Sequence, residues 1–223
     1  ATTVAFANAA ESMGADIRLG TRALRILTDG DRVTGVETDA GTIDTPRVIV
    51  VAGAWANQLF EPLGIDLELF PRQSRIAIFR GAPERPYPHP TYIDHINHLW
   101  ARPIDANCTL GGAEMGAPVL VDPEDYPEHV TQEYIDFTRA QMAKRFPSIS
   151  HSTVRGNWAC ALMGSPDSRP VIGAIEQVDG LYTMAADNGT SFKTAPAIGK
   201  CLSELILGGE ATTVDLTPFR PSR

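Results

Sequence analysis

The chain has 223 residues, 43% hydrophobic and 21% charged, with a formal net charge of −8. That length and balance suit one large or two small folded units with a real core and exclude a disordered chain. The acidic balance argues against nucleic acid or an anionic membrane as the main partner, and no apolar run approaches the roughly 20 residues of a membrane-crossing helix.

The chain opens inside a helical pattern, with Val4, Phe6, Ala7, Ala10 and Met13 ahead of Gly14. It begins at Ala1 with no initiator Met, as the later part of a longer protein would. Residues 17–19 and 23–27 read as strands, Asp29-Gly30-Asp31 as a turn, and residues 33–38 with 42–44 as a hairpin about Asp39-Ala40-Gly41. Residues 47–51 read as a buried strand that runs into Ala52-Gly53-Ala54-Trp55 and then a helix through Leu59 and Phe60. A strand ending in small residues is where α/β sheets place ligands, at their carboxyl edge. Tight helix–sheet packing at Gly53 is the alternative.

From Leu67 the texture changes. Residues 67–80 alternate as one long strand, and Pro83, Pro86, Pro88 and Pro90 mark a loop. Residues 98–103 and 109–111 are further strands, and residues 112–127 are irregular and acidic. A helix with Tyr134, Phe137, Met142 and Phe146 among its buried positions follows. This is an antiparallel α+β insert, after which the chain returns through residues 155–160.

The closing stretch organises the rest. Residues 180–185 read as a buried strand. A helix with Ile198, Cys201, Leu202, Leu205 and Ile206 on one stripe ends at Gly208-Gly209. Between them lie Asn188-Gly189-Thr190-Ser191, small and polar, with Lys193 at the helix mouth. Opening helix amides carry partial positive charge and suit a ligand that gains negative charge. An ordinary strand–helix connection with a solvated lysine fits the same pattern. Cys108, Cys160 and Cys201 are odd in number and widely spaced. They give no disulfide framework or metal spacing and suit the reducing cytoplasm.

Three motifs, in order, carry a resemblance. Val50-Val51-Ala52-Gly53-Ala54-Trp55 resembles a flavin-contacting strand end of the D-amino-acid oxidase superfamily. The run from Trp158-Ala159-Cys160 through Ser165-Pro166-Asp167 to Pro170-Val171-Ile172-Gly173 is similar to that family's Trp-Ala-Gly-Leu-Arg-Pro…Thr-Pro-Asp…Pro-x-Ile-Gly signature. Residues 189–199 resemble the flavin-edge loop of sarcosine-oxidase-like members. The resemblance implies an α/β plus α+β protein. Its parts are an incomplete Rossmann-like FAD-binding domain (1–66, returning over 155–223) and an inserted antiparallel-sheet substrate domain (67–154).

The resemblance also shows a departure, because no G-x-G-x-x-G for the FAD pyrophosphate occurs in these residues. An amino-terminal segment is the implied partner, and the chain alone is expected to hold FAD poorly and to be inactive. The implied chemistry is oxidation of a C–H beside an amine, with hydride passing to FAD and the imine then hydrolysing. The substrate would be a small carboxylated amine, an amino acid or N-methyl amino acid. A 2-hydroxy acid or polyol oxidase on the same scaffold, and a non-catalytic fragment or subunit, are the competing readings.

On this resemblance Lys193 holds the substrate carboxylate as a point charge. Arg102, two residues from Trp100 on one strand face, offers a second clamp beside an aromatic wall, because the family's anchoring arginine is replaced by Leu162. Cys160 falls on the position of a flavin-tethering cysteine, and Ala23 on a backbone contact to adenine. Ala52, Gly53 and Trp55, with Gly189, Thr190, Ser191 and Phe192, bring backbone to the flavin. Thr109 lies near a position where sarcosine oxidases carry an oxygen-activating lysine, which points to slow reaction with oxygen. His95, His98 and Glu114 are lesser substrate-contact candidates.

Overall fold

The computed structural model describes residues 2–81, 89–115 and 122–223. Helix α1 (Thr2–Ser12) gives way to Gly14, whose φ of +97° a side chain would strain. None of α1's residues is buried. Residues 17–19, expected as a strand, pair with nothing and form a loop. Strands β1 (Ala23–Asp29), β2 (Arg32–Thr38) and β3 (Gly41–Asp44) make an antiparallel sheet in that order, as the turn signals predict.

Strand β4 (Val48–Val50) leads through a 3-10 turn, Gly53–Trp55, into helix α2 (Ala56–Phe60). The middle of the chain carries β5 (Phe70–Arg80), β6 (Tyr92–Asp94), β7 (Leu99–Pro103), β8 (Cys108–Ala113) and α3 (Gln132–Ala143). Strands β9 (Thr153–Gly164), β10 (Val171–Ala174) and β11 (Leu181–Ala185) follow, then α4 (Ala195–Gly208), closed by left-handed Gly209. The expected proline loop falls largely on residues 82–88, outside the described residues, as do residues 116–121 of the acidic stretch.

Two cores organise these elements. In the first, β11 pairs parallel with β4 and antiparallel with β10, giving the order β10-β11-β4. Phe60, Met163, Ile175, Leu181 and Val33 fill it. Strand β4 was expected to be buried; among the described residues it has a neighbour on one side only, and there Ile49 and Val51 are exposed while Val50 is buried.

The second core lies under the five-stranded antiparallel sheet β6-β7-β8-β5-β9. One face of that sheet, carrying Ala77, Phe79, Leu99 and Ala101, packs on Ile135 and Met142 of α3. The N-cap Thr131 accepts the Tyr134 amide and fixes where α3 starts. Strand β9 pairs with β5 from Thr153 to Gly164, so the expected division between residues 154 and 155 falls inside a strand of this sheet. Within β9, Asn157 accepts the Val130 amide through Oδ1.

Candidate functional site

The carboxyl ends of the parallel pair β4 and β11 meet the five-stranded sheet at the start of β5 and the end of β9. The Gly53–Trp55 turn touches both β5 and β9. After β11 the backbone enters the left-handed region at Ala186 (φ +53°), Asn188 (+52°) and Gly189 (+77°). Ala186 is 1% exposed, so a strained alanine is held by its surroundings. The holding group is Asn188. Its Nδ2 donates to Ala186 O at 2.7 Å and its amide donates to Met163 O at 3.3 Å.

Asn188 also connects the loop to both flanking strands. Its Oδ1 lies 3.4 Å from the Ser165 amide, and Ser165 Oγ donates to Arg169 O at 2.6 Å. Asp167 beside it is clasped by two nitrogens of Arg223, at 2.8 and 2.9 Å. That guanidinium, together with the Arg169 amide and the Ser165 hydroxyl, holds the Asp167 carboxyl well below the usual carboxylate range. On the other side, Arg72 Nη2 of β5 donates to Asn188 O at 3.0 Å.

The face of the five-stranded sheet opposite α3 is open here. Cross-strand pairs on it are Arg72 with Leu162, Ser74 with Cys160, and Ile76 with Trp158. Trp158 is 37% exposed, and nearby Trp55 and Phe192 are 39% and 76% exposed. A Cβ at Gly53 (φ +53°) would meet nothing within 4 Å, and one at Gly189 would come 3.2 Å from Leu162. The opening amides of the 3-10 turn Ser191–Thr194 and of α4 receive no side-chain cap. Bare positive-φ backbone, uncapped amides and exposed aromatic surface suit a flat heteroaromatic ring that gains negative charge.

The sequence candidates divide into two groups. Ala52, Gly53, Trp55, Cys160 and Gly189, Thr190, Ser191 and Phe192 lie on the converging strand ends. Trp55 Nε1 donates to Glu124 Oε1 at 2.7 Å, and Arg22, next to Ala23, lies 3.6 Å from the same oxygen. Ala23 itself is exposed at the head of β1. Lys193 is exposed and folds back, its Nζ donating to Thr190 O at 3.0 Å.

Arg102 and Trp100 do share one face of β7, as expected: Trp100 stands against Gly112 on the open face. But β7 is three strands from β9. At about 4.8 Å per strand and 3.4 Å per residue, Arg102 sits roughly 15–20 Å from Cys160. The clamp expected from this pair is therefore not assembled with the loop. Thr109 stands on the opposite face. It shares the α3 face with Gly111, is buried, and bonds His89 Nε2 at 2.8 Å. His98 and Glu114 pair with each other at 3.4 Å, both exposed.

Cys160 is half-buried and stands opposite Ser74 in the β5–β9 pairing. Burial pushes its thiol pKa up, the Asp187 charge adds to this, and the Ser74 bond opposes it. All three cysteines are free. No helix among the described residues is long and apolar enough to cross a membrane.

What sequence reasoning missed is Arg72. Its register against Leu162, 90 positions away in the chain, is the only thing that brings it to the loop.

A parallel strand pair whose carboxyl ends meet an antiparallel sheet with one open face is an arrangement shared with flavoproteins of the amino-acid-oxidase kind. The comparisons agree. The profile described as FAD dependent oxidoreductase matches residues 1–205, and the chain belongs to that family, whose cofactor is FAD. It is 27% identical to a glycine oxidase of Pseudomonas aeruginosa over 196 residues, 88% of this chain and 51% of that protein. It is 28% identical to a 4-methylaminobutanoate oxidase (formaldehyde-forming) of Paenarthrobacter nicotinovorans over 97% of this chain and 27% of that protein. Among solved structures, L-proline dehydrogenase from P. horikoshii superposes with a TM-score of 0.87 at 26% identity, covering 100% of this chain and 58% of that one. The chain thus spans about half the length of the glycine oxidase it matches.

Proposed function

We propose that this chain forms the ring-side half of an FAD-dependent oxidoreductase that oxidises the C–N bond of a small carboxylated amine, an amino acid or N-methyl amino acid. The observation that carries the reading is the meeting of the Ala186–Gly189 loop with the open face of β5 and β9, under exposed aromatic surface. Ala52, Gly53 and Trp55 with residues 189–192 would hold the ring, and Ala23 would lie toward the adenine. Bound FAD supplies the two-electron acceptor. The chain's own residues bind the amine, orient its C–H and exclude water. Lys193 exchanges its Thr190 carbonyl for a substrate carboxylate.

The phosphates are held by sequence outside these 223 residues. Gel filtration of the 223-residue chain with excess FAD is expected to return protein with far less than one flavin per chain. Retention at one-to-one stoichiometry would refute that division of labour. In the complete FAD-loaded protein, glycine, sarcosine and proline are expected to bleach the flavin anaerobically, and 2-hydroxy acids are not. Bleaching by hydroxy acids alone would move the reading to alcohol oxidation. Lys193→Met is expected to raise KM for the amino acids without loosening FAD, and an unchanged KM would remove Lys193 from the site.

A cysteine tether needs a thiolate, and burial disfavours the Cys160 thiolate, so a flavin held without a covalent bond is the expected outcome. Acid precipitation of the loaded protein should leave a colourless pellet. A yellow pellet that whitens in Cys160→Ser would establish the tether.

A further inference from the structure

We infer that Arg223 is a positioning residue: its clasp on Asp167 sets where the Ala186–Gly189 loop presents backbone to the flavin ring. The inference rests on the ring-side reading above and adds to it a residue from beyond α4. Arg223 Nε donates to Asp167 Oδ2 at 2.8 Å, and Nη2 donates to Asp167 Oδ1 and to Arg169 O, both at 2.9 Å. Nη1 donates to Phe219 O and Arg220 O, both at 3.1 Å. All five N–H groups of the guanidinium are thus in use, and the side chain is only 19% exposed. A planar fork satisfied at every donor has one orientation and acts as a rigid strut.

What it holds is a strained turn. Ser168 has φ +57°, left-handed for a residue with a side chain. The turn closes through the Ser168 amide to Ser165 O and the Arg169 amide to Asp167 Oδ1, both at 3.0 Å. Ser165, 3% exposed, faces the loop: its amide lies 3.4 Å from Asn188 Oδ1 and its Oγ 3.4 Å from Asn188 Nδ2. Ala186 and Asn188 are left-handed as well, so two strained turns stand back to back. Such strain persists only where the surroundings over-determine it. On one side Arg72 and Met163 O hold Asn188. On the other side the support runs through Ser165 and Asp167 to Arg223.

The consequence is electrostatic. A ring that gains negative charge on reduction is favoured by N–H dipoles only while they are held in place. A loop that shifts gives up part of its preference for the reduced ring over the oxidised one. Arg223 touches neither flavin nor substrate and acts through the residues it holds. Its own segment has other fastenings. Ser222 Oγ donates to Glu176 Oε1 at 2.6 Å, and Pro221 Cδ lies 3.2 Å from where a Cβ on Gly173 would stand. Removing the guanidinium therefore unlocks the turn without releasing the segment.

The test uses the complete protein, with and without FAD, as wild type, Arg223→Gln and Arg223→Lys. Arg223→Gln should weaken binding of reduced FAD about tenfold more than binding of oxidised FAD, a fall of about 30 mV in the two-electron potential. Arg223→Lys keeps the charge without the fork and should recover part of that shift. Equal weakening of both forms, with the potential unchanged, would make the clasp merely structural and overturn the inference.

Amide exchange in the FAD-free protein gives a readout independent of cofactor and turnover. The Ser165 and Asn188 amides should exchange several-fold faster in Arg223→Gln, while the β10–β11 ladder stays as slow as in wild type. Acceleration spread evenly over that ladder, or none at Ser165 and Asn188, would also overturn it. In the wild type, loading with FAD should slow exchange at the Gly189 and Thr190 amides. No change there would sink the ring-side reading and the inference built on it, a result that appears before any variant is made.

Discussion

Gly180→Ala is expected to lower the free energy of unfolding by about 3–5 kcal/mol, combining left-handed strain with overpacking. Gly180 has φ +82°, and a Cβ there would lie 2.2 Å from Pro46 O and 3.5 Å from Val33 Cβ. The obstruction is backbone, so no rotamer change relieves it. The approach has a purpose. Gly180 O accepts the Val48 amide at 2.9 Å, and the neighbouring Asp179 O accepts the Val33 amide at the same distance. One dipeptide therefore docks the β1–β2 hairpin and starts the parallel pairing of β4 with β11. Forcing it outward separates the two strand ends that carry Gly53 and Gly189. Gly30→Ala is the control, since Gly30 has φ +59° with nothing within 4 Å of an added Cβ. It should cost about 1–2 kcal/mol, the left-handed strain alone. Urea unfolding of both variants decides the matter. A Gly180→Ala midpoint no lower than that of Gly30→Ala would show that the chain accommodates the clash.

The parts of this fold that were legible in the sequence are those whose pattern is local. The α4 stripe buries Cys201 and Leu202 and stops at Gly209 because 3.6-residue spacing and a left-handed glycine are written in consecutive residues. The β1–β2–β3 turns at Gly30 and Gly41 were legible for the same reason. An apolar run, by contrast, does not say what lies beside it. Residues 48–51 read as buried, yet β4 has a neighbour on one side only among the described residues.

The placing of site residues depends on the same non-local information. Trp100 and Arg102 were paired correctly on one face by period-2 alternation, but sheet order decides whether that face position is near the loop, and β8 and β5 intervene before β9. Thr109 was placed by chain position, whereas the pleat turns it toward α3. Arg72 carried no local signal at all. A positive residue in an alternating strand looks solvated until register sets it opposite Leu162 and the loop carbonyl of Asn188 arrives from the far end of the chain.

Register also explains why a single phenol is expected to matter nearly as much as Gly180. Tyr134 is 2% exposed, and its hydroxyl donates to Arg75 O at 2.7 Å and accepts the Ala113 amide at 3.1 Å. The β5–β8 ladder runs from Arg80–Cys108 to Ala77–Gly111 and stops there. Beyond that point β5 continues toward Arg72 and β8 toward Ala113. The Tyr134 hydroxyl stands between the two strands and satisfies the backbone groups that the ladder leaves unpaired. The Arg75 guanidinium lies 4.5 Å over the same ring and adds a cation–π contact. Tyr134→Phe keeps the ring, its packing and that contact, and removes only the oxygen. Two buried backbone groups then lose their partner, at about 1–3 kcal/mol each. The variant should lose about 2–4 kcal/mol of unfolding free energy, with the urea slope unchanged because the surface exposed on unfolding is the same. Amide exchange gives the sharper reading: the Ala113 N–H should exchange far faster in Tyr134→Phe, while amides in the β7–β8 ladder at Leu110 and Gly111 stay protected. An Ala113 amide as slow as wild type would mean that water or a shifted strand has replaced the hydroxyl. The phenol would then not be what holds β5 and β8 together where they diverge.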